Sequence, residues 1–179
     1  MKKTKILISV LTSILIFSSC KTNIKNEKQT ENQKFNLESY LTKDDYVKLE
    51  LKKMSSGHLH IFGKLNGVNG NFILDTGAGA TVIEEKNKEK FHMQTKESKE
   101  QATGAGGTGM QMQNSEKNNL KIEKLELKEI NLMLMNLDHV NNAFESMGLE
   151  KIDGVIGADI LTVNKAIIDY SNLVLYLKK

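Results

Sequence analysis

Apolar and polar positions alternate with a period of two along much of the chain. Val47, Leu49 and Leu51 alternate with Lys48, Glu50 and Lys52, the pattern of a half-buried strand. Leu59 and Ile61 continue it between His58 and His60. Asn66-Gly67 is a turn signal and predicts a following strand over 71–74. Thr81-Val82-Ile83 predicts another short strand. Leu120, Ile122, Leu125 and Leu127, then residues 130–137, predict two more. Ile167-Ile168 and residues 173–177 flank the turn Asp169-Tyr170-Ser171-Asn172, which reads as a hairpin. Residues 84–91 have the length of a turn or two of helix, and otherwise only 140–147 and 158–164 read as helical. The expectation is a mainly β domain, closed or nearly closed into a barrel, with one or two short helices.

The beginning of the chain follows a different pattern. Residues 6–17 form one apolar run behind Met1-Lys2-Lys3-Thr4-Lys5. Such a run is shorter than the roughly 20 residues a spanning helix needs, and it reads as a secretory signal. Cys20, the single cysteine, follows in Phe17-Ser18-Ser19-Cys20. This segment resembles the bacterial lipobox, in which the signal is cut before a cysteine that receives lipid. A lone cysteine has no partner for an internal disulfide, and acylation accounts for its place. The resemblance implies a membrane anchor with amide- and ester-linked lipid, stable where a single acyl chain would not be. Lys21 does not resemble the Asp that retains some lipoproteins at the inner membrane. A bacterial envelope location is therefore expected, with the outer membrane or periplasmic face favoured. Residues 21–39 are rich in Lys, Asn, Glu and Gln and have few apolar positions. They read as part of a flexible tether. The expected organisation is a signal over 1–19, lipidated Cys20 and tether over 20–45, and a folded domain over 46–179.

Charge narrows the class of partner. The chain of 179 residues has 25 basic side chains, all Lys, against 22 acidic ones. Lys2, Lys3 and Lys5 belong to the leader, and without them the balance is neutral. A nucleic-acid binder would show a basic stripe and usually Arg. That class is set aside, as is a multi-pass membrane protein.

Three segments carry candidate chemistry. In Phe72-Ile73-Leu74-Asp75-Thr76-Gly77-Ala78-Gly79-Ala80-Thr81-Val82-Ile83 an Asp ends a fully apolar strand. A carboxylate there is expected near the core and partly desolvated, which makes it a candidate acid or base. An Asp opening a turn is the alternative reading of the same residue. The second segment is Asp153-Gly154-Val155-Ile156-Gly157-Ala158-Asp159-Ile160-Leu161. The third is the glycine-rich run Thr103-Gly104-Ala105-Gly106-Gly107-Thr108-Gly109.

In this order the three resemble the active-site signature, the later Gly-x-Asp element and the mobile hairpin flap of the retropepsin-like, retroviral-type aspartic proteases. The resemblance covers about residues 46–179 and implies one lobe of the acid-protease fold. It implies Asp75, Thr76 and Gly77 as catalytic residues, with Thr76 holding the loop across a dimer. Ala78, Gly79, Gly104, Ala105, Gly106 and Gly107 are implied as substrate-binding, and Thr81 as supporting the loop from below. No cofactor is implied. Asp-Thr-Gly occurs once, so a protease of this kind requires a homodimer that pairs two Asp75 carboxylates. Gly79 stands where viral members usually carry Asp, and Ala158 where they carry Arg. The viral ion pair near the dimer interface is thus missing as a pair, and no charge is left orphaned.

The reading is an aspartic endopeptidase acting on peptide or protein substrates. The alternative is a non-catalytic binding or dimerisation module on the same fold. The glycine run lacks the Gly-Lys-Ser/Thr of a phosphate loop. His58 and His60 read as two exposed strand histidines, not as a metal pair. Met133, Met135 and Met147 read as core filler. Lys121, Lys124 and Lys128, interleaved with Glu123, Glu126 and Glu129, read as a solvated face.

Overall fold

The computed structural model describes residues 35–104 and 106–179, with residues 36–179 in one compact unit. Strands β1 (Tyr46–Glu50), β2 (Lys52–Lys53), β3 (Leu59–Leu65), β4 (Val68–Leu74) and β5 (Val82–Glu84) lead to a long hairpin, β6 (Thr95–Gly104) and β7 (Gly107–Ile122). Strand β8 (Leu125–Met135), β9 (Gly154–Ile156), β10 (Ile167–Asp169) and β11 (Val174–Lys178) complete the set. The helices are short: α1 (Leu37–Leu41), α2 (Asp138–Ser146) and α3 (Ala158–Val163). The two helices expected beyond β8 are present. The residues after β5 form a 3-10 turn, Glu85–Asn87, and further turns.

Eight strands make one sheet in the order β2-β3-β4-β9-β5-β8-β7-β6. Strand β3 also pairs with β7 through Lys64 opposite Lys121 and Leu65 opposite Leu120, so the sheet returns on itself as a ring. A second sheet orders β1-β11-β10. The apolar stretch around residues 120–137 divides differently from the expectation. The chain turns at Glu123-Lys124, with Glu123 at φ 48°, and β7 and β8 form a hairpin around that turn. The charged side chains read there as a solvated face are exposed.

The burial pattern explains why some strands are apolar throughout. Phe72 and Leu74 face the main core with Leu49, Ile61, Ile83, Leu134 and Ile156, whereas Ile73 faces a second cluster with Val82, Met135, Phe144 and Val155. Strand β4 is thus covered on both faces, which removes the polar alternation of a one-sided strand. Strand β11 repeats this: Leu175 and Leu177 enter the main core, while Val174 and Tyr176 pack with Leu41 of α1.

That last contact moves the domain boundary. Residues 36–45, read as the end of the tether, are part of the folded unit. Asn36 caps α1 by accepting the Ser39 N–H at 2.8 Å, and Leu41 is buried. Asp44 pairs with Lys178 at 2.9 Å. One apolar pair, Leu37 and Leu41 at i,i+4, suffices to seat a helix this short and is inconspicuous in a polar stretch. The signal, Cys20 and the tether up to residue 34 lie outside the described residues.

Candidate active site

Strand β9 is wedged between the strand before Asp75 and the strand after it. It runs parallel to β4, Phe72 opposite Gly154 and Leu74 opposite Ile156, and antiparallel to β5, Val82 opposite Val155. The wedge is narrow because two glycines line it. A Cβ on Gly154 would lie 2.5 Å from the Val82 carbonyl oxygen, and one on Gly157 would lie 2.5 Å from that of Ala80. The first and second sequence segments therefore interlock backbone to backbone.

The loop after β4 is held at several points. The Asp75 N–H donates to the Ile156 carbonyl at 3.0 Å, and the Ala158 N–H donates to the Ala78 carbonyl at 2.7 Å. The Gly77 N–H donates to Asp75 Oδ1 at 2.8 Å, so Asp75 does open an Asx-type turn. Below the loop, buried Thr81 donates its hydroxyl to Asp159 Oδ1 at 2.7 Å and its N–H to Asp159 Oδ2 at 2.9 Å. The Gly157 N–H donates to Thr81 Oγ1 at 3.0 Å. Asp159 lies in the second segment, but its sequence context alone does not reveal this bridging.

Asp75 is exposed in the single chain, contrary to the partial desolvation expected at the end of an apolar strand. The strand is buried, but the chain leaves the ring at Asp75, and the turn carries the carboxylate outward.

Asp75, Gly77, Ala78, Gly79 and Gly104 come together around one cleft of about 300 Å³. The β6–β7 hairpin folds over it, contributing Ala102, Thr103, Met110 and Met112, while Met135, Leu137, His139 and Val140 line the opposite wall. Two glycines in the hairpin require their residue type: Gly107 at φ 121° and Gly109 at φ 70°. Gly106 is exposed, but a Cβ there would meet the His139 ring at 2.7 Å and Met110 Sδ at 2.8 Å. Gly107 lies outside the cleft lining, and Ala105 lies outside the described residues. Thr76 faces away from the cleft and lines a separate cavity with residues of α3 and β10.

Several wall residues escape a sequence reading. His139 carries no motif, and only the expectation of a helix over 140–147 points to its neighbourhood. The far wall is fixed by Glu84, a buried carboxylate at the end of β5. Its Oε2 accepts the Leu137 N–H at 2.9 Å and its Oε1 accepts the Lys86 N–H at 3.2 Å. Asp153 is likewise structural: it accepts from the Asn71 N–H at 2.9 Å and from Asn87 Nδ2 at 2.8 Å, and pairs with Lys90 at 2.6 Å. Met135 is buried, as core filler should be, whereas Met147 is exposed.

The two strand histidines differ from expectation too. His58 is exposed and bonds Ser56 Oγ through Nδ1 at 2.9 Å, but His60 is buried with Nε2 unpartnered. Burial, helped by Lys52, pushes the His60 imidazole below its ordinary value of 6.5. His60 stands opposite Ile73 of the second apolar cluster, and its ring packs edge-on against Phe62 at 4.3 Å, so this one point of the outward face of β3 is covered.

An aspartyl protease family model matches residues 61–160. The chain belongs to this family, and its fold is retropepsin-like. A retropepsin-like aspartic protease from Rickettsia conorii aligns with a TM-score of 0.51 at 20% identity, covering 74% of this chain and 92% of that one. The EIAV protease complexed with the inhibitor HBY-793 gives a TM-score of 0.49 at 15% identity, covering 66% of this chain and 98% of that one. The retroviral protease-like domain of Ddi1 from Leishmania major gives 0.44 at 13% identity, covering 67% and 94%. No curated protein matches the chain.

Proposed function

We propose that the protein is an aspartic endopeptidase whose catalytic dyad forms from Asp75 of two identical chains. The observation that carries this reading is the placement of one exposed Asp75 at the mouth of a cleft that its own hairpin covers. Asp-Thr-Gly occurs once in the chain, so each chain supplies half of a two-carboxylate site. Two carboxylates about 3 Å apart cannot both ionise and share one proton. One takes a proton from the attacking water, and the other donates a proton to the carbonyl oxygen of the scissile peptide. Gly77 lets the substrate backbone approach, and Thr76 holds the loop against its copy. The hairpin around Gly104, Ala105, Gly106 and Gly107 closes over the peptide and excludes water. The methionine-rich wall is adaptable and apolar, which suits extended peptides with apolar side chains. The chain is anchored through lipidated Cys20 in the bacterial envelope, at the outer membrane or the periplasmic face.

Cleavage of a peptide library by the parent chain and by Asp75→Asn tests the assignment. The variant should keep the parent's circular dichroism and unfolding midpoint, since shape and the turn bond to Gly77 survive. Its kcat/KM should fall about 100-fold or more. Parental activity in a folded Asp75→Asn chain would overturn the proposal.

A further inference from the structure

The long β6–β7 hairpin has a second pocket at its base, where Lys96 stands opposite Asn114. The pocket measures about 440 Å³ and shares no lining residue with the Asp75 cleft. Its size is that of a small-molecule site. Three residues that line it, Asn66, His92 and Lys117, have φ of 49°, 52° and 58°. Asn66 precedes Gly67 in a turn, where Asn tolerates this conformation. A long side chain such as Lys adopts it at a cost, and such positions gather at functional sites. Lys117 lies where the β7 register slips, between Ser115 and Asn118. Bulges of this kind re-aim a side chain next to a site.

The amide side chains of the lining fall into two groups. Asn66 and Asn118 are committed to the fold. Asn66 Nδ2 donates to the Phe91 carbonyl and to Asn118 Oδ1, each at 2.9 Å, and its Oδ1 accepts the Asn119 N–H at 2.8 Å. Buried Asn118 donates from Nδ2 to the Ser115 carbonyl at 3.0 Å. These bonds tie the β3–β4 turn to the bulge and to the residue before His92, so the wall is fixed in advance. Other polar groups are uncommitted. Asn114 Oδ1 is shielded from solvent and has no hydrogen-bond partner, a state that buried acceptors rarely keep. The side chains of His92, Gln94 and Lys117 make no hydrogen bond or ion pair among the described residues. Lys96 is matched by Glu116 at 3.4 Å, which leaves the Lys117 ammonium as the unmatched charge of the lining.

We propose that this pocket binds a small ligand with one carboxylate and neighbouring N–H or O–H donors, the chemistry of an acidic amino-acid residue or of a sugar acid. The carboxylate pairs with Lys117, and a ligand donor supplies what the Asn114 oxygen lacks. The torsion of that amide is soft, so a small rotation turns the oxygen toward the ligand. Gln94 can give or take a further bond. A phosphate monoester carries nearly two negative charges and would leave one unmatched. The site does not depend on the dyad proposed above.

The test is titration calorimetry on the full chain in detergent. The probes are N-acetylglutamate α-amide and glucuronate, against their neutral counterparts N-acetylglutamine amide and glucose, and inorganic phosphate. At least one acid should bind, with its neutral counterpart at least about 10-fold weaker. The stronger of the two acids identifies the source, a peptide side chain or a sugar acid. Lys117→Gln should weaken binding by a similar factor. Lys117→Gly should do the same while keeping the fold, because Gly accepts the φ of 58° without strain. Asp75→Asn in the cleft and Lys128→Gln on the exposed face of β8 should leave the affinity unchanged. The site is overturned if neither acid binds, if the neutral counterparts bind as well, or if phosphate binds more tightly than both. Parental affinity in the two Lys117 variants would overturn it too, and affinity lost with Asp75→Asn would place the ligand in the cleft instead. Loss of the peptidase assignment leaves all of these outcomes unchanged.

Discussion

Thr81 and Asp159, 78 positions apart in sequence, are joined by two hydrogen bonds of 2.7 and 2.9 Å. Through the Thr81 hydroxyl, the strand leaving the Asp75 loop is locked to the start of α3. The same hydroxyl accepts the Gly157 N–H at 3.0 Å, so one buried side chain holds the floor of the loop on both sides.

Thr81→Val keeps the shape and removes that hydroxyl. The Gly157 N–H is then buried without its partner, at a cost of about 1–3 kcal/mol. Urea unfolding should show this loss, and peptidase activity should fall because the Asp75 loop loses its support. Thr81→Ser should restore both. A Val variant as stable as the parent would show that the bridge is dispensable.

Two glycines near the site should respond oppositely to alanine. A Cβ on Gly157 would press on backbone, 2.5 Å from the Ala80 oxygen and 2.8 Å from the Ala78 oxygen. Gly157→Ala should therefore cost about 1–3 kcal/mol through forced displacement of the loop. Gly79 has nothing within 4 Å of the corresponding point, and Gly79→Ala should unfold within about 0.5 kcal/mol of the parent. Thermal or urea unfolding of the pair decides it, and equal effects would contradict the packing.

His60 gives stability a pH dependence of known sign. Its folded imidazole is held below the ordinary 6.5, mainly by burial, so between the folded and unfolded values the unfolded chain binds more protons. Stability is then full above the unfolded value and is lost as pH falls through the folded one. Unfolding midpoints followed downward from neutrality should drop across that window in the parent. The drop should be smaller in His60→Leu. An identical pH profile in the two chains would assign the dependence elsewhere.

Cys20→Ser should abolish incorporation of a labelled fatty acid and release the chain from membranes in fractionation. Equal labelling of parent and variant would remove the lipid anchor.

Much of this architecture is legible in local pattern. The period of two, the turn dipeptides and the doubly buried run before Asp75 are properties of neighbouring residues, so they announce β4 and the β10–β11 hairpin directly, whereas the hairpin over the cleft is implied only by the resemblance of its glycine run. The order of the three segments is also enough to suggest the family. Other features depend on which strands meet when the sheet closes. Leu41 becomes a core residue only because β11 presents Val174 and Tyr176 to it. His60 is buried where β4 sets Ile73 of the second apolar cluster opposite it. His139 becomes a cleft residue only because the hairpin tip at Gly106 folds onto it. Asp75 follows a buried strand yet stands exposed, because the turn directs its carboxylate out of the ring. Residues a few positions apart determine strand period and turn chemistry. Whether a side chain is buried, bonded or at a site depends on partners tens of residues away, and closure of the sheet selects those partners.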